Sequence, residues 1–303
     1  MLGAAYALDA PQRAWERGRV GRADVDCVTF DEAVESVVAL AADPHARRYV
    51  VTPNIQHVVE LERNAAFRDA YANADLVLPD GAPVALALRA TTRSRQSRVT
   101  GSDLMPAVCA AAAERGLTVG ILGGATGSAE DAAAALREQY PNLMVVLVEP
   151  APYGFMDSPE MLDTVLDHVA AKNPDILFVG LGAPKQELFV RRYRKRLGTG
   201  VALCVGAAVD FVAGRARRAP LSWQRVGMEW AWRVLQEPRR LARRYLTAAP
   251  LFLWLVMPML LTSLVRTSPA GSGRGSGRAR GASRPARRGT PTAARAGMGS
   301  VPR

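Results

Sequence analysis

The sequence predicts an α/β protein with a mainly parallel sheet and helices on both of its faces. Short runs of β-branched and aliphatic residues alternate with longer helical patterns between residues 48 and 206. The short runs are apolar throughout, as in strands that are buried on both faces, and the helical stretches are long enough for crossover connections. Together these observations favour a Rossmann-like architecture.

The elements follow one another in a regular order. Six runs are candidate strands: RYVVT (48–52), DLVLP (75–79), LTVGILG (117–123), LMVVLV (143–148), DILFVGLG (175–182) and VALCVG (201–206). The helical patterns cover residues 55–72, 82–90, 103–115, 127–139, 159–172 and 184–197. Ser102 followed by Asp103 is a plausible start for the helix over 103–115, and Gly116 has the place of its C-cap.

The chain changes character after about residue 220. Residues 221–245 mix tryptophan, methionine and leucine with arginines, which predicts a basic amphipathic helical appendage. The next twenty residues carry no charge, and the rest is Gly, Ser, Arg, Pro and Ala without an aromatic residue, a composition typical of disorder. The predicted organisation is an N-terminal extension (1–27), an α/β core (28–220), the appendage (221–245), an apolar membrane-associating segment (246–265) and a disordered Arg-rich tail (266–303).

Charge is distributed unevenly along the chain. Residues 1–190 carry a net charge of −9, residues 191–244 carry +11, and residues 266–303 hold nine arginines and no acid. A basic C-terminal third on an acidic body suggests a localised anionic partner, such as phosphates, nucleic acid or a lipid surface.

Cysteine and histidine usage points away from disulfides and metal centres. Cys109 and Cys204 lie in apolar runs and are expected to be buried free thiols, which suits a reducing compartment. The three histidines are scattered in the sequence, and we expect them to be surface or capping residues. The first thirty residues contain four acids and no unbroken apolar core, so we expect no signal peptide.

Polar residues follow several of the predicted strands. In a parallel sheet the carboxyl ends of the strands share one edge, where helix N-termini bind anionic ligands. The candidate residues at this edge are Thr52 and Asn54 after the first strand, Asp80 after the second, the GGATG loop (123–127) after the third, Gln186 after the fifth and Asp210 after the sixth. RVTGSD (98–103) precedes another helix. We expect these residues to line one cleft.

Each of these signals has a second interpretation. Asp80 stands in an Asp-Gly pair and could be a turn residue or a helix N-cap instead of a base. GGATG resembles a dinucleotide fingerprint, but its spacing differs and it follows a middle strand, so it could be a tight turn. Gln186 could be an ordinary polar residue in the first turn of a helix.

The chemistry available in such a cleft is acid–base chemistry on a charged substrate. A carboxylate at a helix N-terminus is stabilised in its charged form, so Asp80 is expected to be ionised at neutral pH and able to take a proton from a hydroxyl nucleophile. No DxD-type pair of acids lies at the ends of the predicted strands to carry Mg²⁺ on a diphosphate. A diphosphate leaving group would then need arginines or backbone N–H groups.

Seven motifs along the chain resemble those of the WecG/TagA/CpsF glycosyltransferases, glycosyltransferase family 26. They occur in the order of that family and cover about residues 28 to 245: VTPNIQHV, ADLVLPDGAPV, RVTGSDL, ILGG, DILFVGLGAPKQE, GAAVDFVAGRARRAP and GMEWAWRVLQEPRRLARRY. The resemblance implies inverting, metal-independent transfer of a sugar from a UDP-sugar to a polyprenyl-diphosphate-linked sugar, with no cofactor. Members of the family add N-acetylmannosamine or related sugars in teichoic acid or exopolysaccharide synthesis.

The resemblance also implies roles for individual residues. Asp80 takes the position of the family's proposed general base. The residues that correspond to the sugar- and nucleotide-binding positions are Thr52, Asn54, Arg98, Gln186 and Asp210. The arginines that correspond to those proposed to close over the diphosphate are Arg233, Arg240 and Arg243. The alternative for these arginines is a solvated basic helix face.

The apolar segment bears on where such an enzyme would work. Its length would span a bilayer, but Pro250 and Pro258 interrupt it and both of its flanks are basic. A single span would place one basic flank outside, against the positive-inside tendency, whereas an interfacial or re-entrant segment keeps both flanks at the cytoplasmic leaflet. We therefore expect a location at the cytoplasmic face of the cell membrane. A true span and a soluble core helix remain alternatives.

Two other functions are possible on sequence grounds. One is an NAD(P)-type oxidoreductase that uses the GGATG loop, although the loop lacks the first-strand position. The other is a nucleic-acid-binding protein that uses the arginine-rich tail, but no aromatic residues interleave with those arginines for base stacking, so no specific nucleic acid is expected. The donor sugar, the acceptor sugar and the oligomeric state are left open by the sequence.

Overall fold

The structure is a computed structural model, and it describes residues 15–43, 45–92, 96–225, 227–236 and 238–267. Within these ranges, the side chains of residues 225, 239–245, 260 and 262–267 lie outside the described part. The predicted tail lies outside it from residue 268 onward.

Strands and helices alternate along the described chain. In chain order the strands are β1 (Arg17–Val20), β2 (Ala23–Asp26), β3 (Arg48–Val51), β4 (Leu76–Val77), β5 (Thr118–Gly123), β6 (Met144–Glu149), β7 (Ile176–Gly180) and β8 (Val201–Cys204). The helices are α1 (Phe30–Ala41), α2 (Ile55–Arg63), α3 (Ala65–Ala72), α4 (Ala82–Thr91), α5 (Gly101–Arg115), α6 (Ser128–Gln139), α7 (Pro159–Lys172), α8 (Lys185–Leu197), α9 (Ala208–Val212), α10 (Leu221–Arg225), α11 (Glu229–Gln236) and α12 (Pro238–Thr267), with a short 3₁₀ turn at Phe155–Asp157.

The six predicted strands form a single parallel sheet, which confirms the predicted α/β class. Their order across the sheet is β4-β3-β8-β7-β5-β6, and each neighbouring pair is parallel. The carboxyl ends of all six strands therefore lie at one edge of the sheet. This edge is where ligands bind in open parallel sheets.

Both faces of the sheet are covered by hydrophobic side chains, as the apolar runs predict. Successive residues of a strand point to opposite faces, so Val50 and Val51 of β3 belong to two separate apolar clusters. One cluster includes residues of α2, α4, α7, α8 and α12, and the other includes residues of α1, α5, α6 and α9.

The structure differs from the sequence prediction at two helix boundaries. The pattern over 55–72 forms two helices, because Asn64 closes α2 with its N–H and caps α3 with its side chain, which accepts from Phe67 N at 3.0 Å. Helix α5 begins two residues earlier than predicted, with Thr100 and not Ser102 as its N-cap. Gly116 is the predicted C-cap in the left-handed conformation, at φ 66°.

An antiparallel hairpin, β1–β2, precedes the sheet and was not predicted. Asp26 links it to the body: its carboxylate pairs with Arg17 at 2.6 Å and accepts from the backbone N–H of Val77 in β4 at 2.8 Å. Because Val20 and Val25 are buried in the first apolar cluster, part of the predicted N-terminal extension completes the core.

The apolar C-terminal segment is helical and packs on the body along one face. Helix α12 continues through Pro250 and Pro258 and lies against α2 and α4. Its residues Ala248, Phe252 and Val256 are buried in the first apolar cluster. Among the described residues, no helix combines the length and hydropathy that crossing a membrane requires.

Candidate active site

A cleft of about 460 Å³ lies at the carboxyl edge of the sheet. The sequence-predicted site residues that line it are Thr52, Asn54, Asp80, Arg98, Gln186, Asp210 and Arg233. The side chains of the two remaining predicted residues, Arg240 and Arg243, lie outside the described part. The expectation that polar residues at several strand ends share one cleft is therefore met.

Asp80 occupies the turn between β4 and α4. The backbone before this turn stays beside β3, since Leu78 N donates to Val51 O at 2.9 Å and Asp80 N donates to Pro53 O at 3.0 Å. The N-cap of α4 is Gly81, at φ 90°, a conformation that favours glycine. The Asp80 side chain therefore does not cap the helix, and within the described part its carboxylate accepts no hydrogen bond.

The protonation of Asp80 differs from the sequence prediction. Burial raises the pKa of this carboxyl from its ordinary value of 3.8 to about 7, and the negative charges of Glu229 and Asp103 add to the increase. The Arg233 and Arg98 guanidiniums oppose it. Asp80 is therefore only partly ionised at neutral pH, contrary to the prediction, because desolvation outweighs the attraction of the two guanidiniums.

Thr52 and Asn54 are oriented by bonds to the protein. Thr52 is buried, and its hydroxyl donates to the carbonyl of Cys204 in β8 at 3.1 Å. The Asn54 side-chain oxygen caps α2 by accepting from the N–H groups of Gln56 at 3.0 Å and His57 at 3.4 Å. With these atoms engaged, Thr52 retains acceptor lone pairs and Asn54 retains its amide N–H groups for a ligand.

Gln186 connects the turns that follow β7 and β8. Its amide oxygen accepts from Gly206 N at 3.1 Å, and its amide nitrogen donates to the carboxylate of buried Glu187 at 2.8 Å. The side chain is 2% exposed. One amide N–H is left over at the cleft, so this residue holds two loops together as well as lining the site.

Asp210 fixes the GGATG loop. Its carboxylate accepts from Ala125 N at 2.8 Å, while Gly124 N donates to Gly180 O at 2.9 Å. Gly180 lies where the loops meet, and a Cβ on it would approach Gly206 O at 3.0 Å and Gly124 N at 3.2 Å. The loop is therefore a tight turn held against its neighbours, as its alternative interpretation suggested.

The appendage lies over this edge of the sheet. The Arg233 guanidinium of α11 stacks over the Phe211 ring, 5.3 Å from the ring centroid. Arg233 and Asp80 line the same cleft, and the charge of the guanidinium lowers the pKa of the Asp80 carboxyl. Arg98 pairs with Glu229, the first residue of α11, at 2.8 Å.

Sequence reasoning missed several residues at the cleft. Arg218 pairs with Asp103 at 2.7 Å, and Glu229 contacts Arg98. These four residues lie in the motifs quoted above. Each pair joins segments more than a hundred residues apart, so no local sequence pattern indicates the pairing. His57 was expected to be a surface or capping residue, yet it is buried with its Nδ1 2.8 Å from the Tyr71 hydroxyl.

The described cysteines form no disulfide. Cys109 and Cys204 are buried and unpaired, which confirms their prediction as free thiols. In the described ranges, no group of three or more His, Cys, Asp or Glu side chains is arranged to hold a metal ion.

Comparison with known proteins gives two findings. The sequence profile of the Glycosyl transferase WecG/TagA/CpsF family matches residues 19–265. A protein of Bacillus spizizenii named N-acetylglucosaminyldiphosphoundecaprenol N-acetyl-beta-D-mannosaminyltransferase is 30% identical over 213 residues. The alignment covers 68% of this chain and 80% of that relative.

Proposed function

The chain belongs to the WecG/TagA/CpsF family of glycosyltransferases, and from this premise we propose that it transfers a sugar from a UDP-sugar to a polyprenyl-diphosphate-linked sugar with inversion of configuration. The observation that carries this proposal is the meeting of one carboxyl, Asp80, and one guanidinium, Arg233, in a cleft at the strand ends. Family membership decides against the oxidoreductase alternative.

In the proposed reaction, Asp80 is the general base. The acceptor hydroxyl oxygen attacks the anomeric carbon while the Asp80 carboxylate takes its proton. The bond from that carbon to the diphosphate oxygen breaks, and UDP leaves with the electron pair. A pKa of about 7 suits this role, because the carboxyl is then ionised in about half of the molecules at neutral pH and is basic enough to accept the proton.

Arg233 is proposed to neutralise the leaving group. The diphosphate gains negative charge as the bond breaks, and a guanidinium can donate two parallel hydrogen bonds to phosphate oxygens. The stacking of Arg233 over Phe211 leaves the donors at the guanidinium edge available. Arg240 and Arg243 remain predictions for the same role.

The remaining residues of the cleft are proposed to bind the two substrates. The GGATG loop and the carboxylate of Asp210 lie together at the cleft and are proposed to bind the nucleotide, whereas Thr52, Asn54, Gln186 and Arg98 are proposed to bind the sugars and the acceptor diphosphate. We propose N-acetylmannosamine or a related hexose as the donor sugar, in cell-surface polysaccharide or teichoic-acid-type synthesis. The name of the Bacillus relative supports this choice.

We also propose that the protein works at the cytoplasmic face of the cell membrane. On the side of α12 opposite its buried residues, Leu253, Trp254 and Met257 are 56%, 71% and 47% exposed. Such a face, on a chain with a basic C-terminal third, suits the surface of a leaflet that contains anionic lipids. It would bring the cleft near a lipid-linked acceptor.

One experiment tests the proposed activity. Purified protein is offered a panel of UDP-sugars together with a short-chain prenyl-diphosphate-sugar acceptor, with and without excess EDTA, and UDP release is measured. We expect release that depends on the acceptor, with one preferred donor, and that persists in EDTA. Absence of transfer with every donor would refute the function, and strict dependence on Mg²⁺ would refute the metal-independent mechanism.

A further inference from the structure

Helix α11 of the appendage lies over the cleft with its side chains only partly buried. None of the eight residues of α11 is buried. Its described contacts with the core are instead ionic or polar, at Glu229, and a cation–π contact, at Arg233. Because burial of apolar side chains is the main source of attachment between packed elements, a helix without a fully buried residue depends in part on such polar contacts for its position.

Glu229 lies at the centre of these contacts. One of its carboxylate oxygens accepts from Arg98 Nη1 at 2.8 Å, and the other is 3.6 Å from Arg218 Nη2. Arg218 in turn donates to Asp103 Oδ1 at 2.7 Å, and Thr100 donates to Asp103 Oδ2 at 2.7 Å. The carboxylate of Glu229 therefore connects α11 to the start of α5 through two arginines.

Arg98 contacts the appendage a second time. Its Nη1 also approaches the carbonyl oxygen of Gln224 in α10, at 3.5 Å. Both Arg98 and Glu229 keep about a fifth of their side-chain surface exposed, at 23% and 21%. The pair is thus shielded enough to be stronger than a surface ion pair and still accessible from the cleft.

We propose that Glu229 is a positioning residue that fastens the appendage over the cleft, so that Arg233 lies beside Asp80. Glu229 and Arg233 are four residues apart and hence on the same face of α11. When the carboxylate holds the first turn of the helix on Arg98 and Arg218, the guanidinium one turn later is directed to the cleft. This inference rests on the proposed function, because it assumes that Arg233 acts on the leaving group.

The test compares two glutamates that make similar ion pairs. Glu229→Gln removes the charge of the fastening carboxylate, and the control Glu35→Gln breaks the Arg115–Glu35 pair, which also spans 2.8 Å but lies on the exposed surface of the core. Hydrogen exchange of the backbone amides in residues 229–236 and the kcat of sugar transfer are measured for the wild type and both variants. A melting temperature for each variant reports on the core.

We expect Glu229→Gln to raise the exchange rates in α11 at least tenfold and to lower kcat at least tenfold, with an unchanged melting temperature. Glu35→Gln should leave exchange and kcat at wild-type values. Sodium chloride at 1 M should raise the exchange of wild-type α11 as well, because it screens partly exposed charges.

If the amides of α11 exchange in the Glu229→Gln variant at the same rate as in the wild type, the proposal is overturned. A shift of its pH–rate profile without a change in exchange would also overturn it, since Glu229 would then act only through its charge on Asp80. The exchange measurement needs no substrate, so failure of the proposed function, seen as no transfer by the wild type, is distinguishable from failure of this inference.

Discussion

At the scale of single residues, position changes the chemistry of side chains that look ordinary in the sequence. Asp80 follows a two-residue strand and precedes a glycine N-cap, so its carboxyl is neither a cap nor a free surface group. Burial then raises its pKa to about 7. A carboxyl with this pKa in a cleft is a candidate for proton transfer, on grounds independent of any likeness to known enzymes.

Replacing Asp80 by asparagine should separate activity from stability. We expect Asp80→Asn to lower the rate of sugar transfer by a factor of about 10² to 10⁴, the usual contribution of a general base. Asp167→Asn, in α7 and away from the cleft, is the control for loss of a carboxylate. Turnover by Asp80→Asn within a few-fold of the wild type would exclude Asp80 as the base.

The same variant should not lose stability at alkaline pH. A carboxyl whose pKa is higher in the folded protein than in the unfolded chain contributes stability that is complete below its ordinary value of 3.8. This stability is lost as the pH rises through the folded value of about 7. Asparagine cannot ionise, so the melting temperature of Asp80→Asn should match or exceed that of the wild type at pH 8. A large decrease at pH 8 would indicate that the carboxylate stabilises the fold.

The pH dependence of transfer should report the same pKa. Because only ionised Asp80 accepts a proton, kcat/KM is expected to rise with pH, by about tenfold per unit below the midpoint, and to level off above about 7. Arg233→Gln removes a cation that lowers this pKa, so its midpoint should lie at higher pH. A wild-type midpoint below pH 5 would contradict the burial of Asp80 as the controlling factor.

At the scale of elements, helix α12 has two faces with different consequences. Its inner residues belong to the core of the α/β body, whereas its outer residues are apolar but exposed. A sequence of twenty uncharged residues does not reveal this division, because a membrane span, an interfacial helix and a core helix share that composition. Only the packing against α2 and α4 identifies the inner face.

Adjacent residues of α12 give a matched test of this division. Phe252 is buried and Leu253 is 56% exposed. We expect Phe252→Ala to lower the free energy of unfolding by about 3 to 5 kcal/mol, as for large aromatic side chains in cores, and Leu253→Ala to change it by less than about 0.5 kcal/mol. Denaturant unfolding measures both. Equal effects would mean that α12 does not pack on the body as described.

At the scale of the whole molecule, the basic C-terminal third and the exposed apolar face of α12 predict binding to anionic lipid. We expect it to sediment with vesicles that contain anionic lipid, and the double variant Leu253→Ser/Trp254→Ser to bind them at least tenfold more weakly. Met144→Ser removes a 44% exposed side chain from strand β6 and is the control. Equal binding by the double variant would place the lipid contact elsewhere.

The parts of the fold that could be predicted are those with local signals. The six strands of the sheet and Gly116 as a C-cap follow from apolar runs and from glycine chemistry. The polar residues at the strand ends could be assigned to one cleft because parallel strands share an edge. These features depend on residues that are close in sequence, or on topology alone.

The parts that escaped prediction depend on distant contacts. The hairpin β1–β2 is tied down by Asp26, whose partner Val77 is about fifty residues away. The pairing of Arg98 with Glu229 and of Arg218 with Asp103 joins segments 131 and 115 residues apart. The ionisation of Asp80 escaped prediction for the same reason, because the burial that raises its pKa comes from residues that are distant in sequence.

Because Phe252 and Val256 are buried in the core but lie late in the sequence, the core is completed only near the end of translation. All six strands of the sheet have been synthesised after residue 204, yet the apolar surface of α2 and α4 stays uncovered until residues 248–256 have emerged from the ribosome. During that interval the nascent protein presents the kind of surface that chaperones and bilayers recognise. We expect the proposed contact with lipid to begin while translation is still under way, and a fragment ending near residue 220 to aggregate when expressed alone.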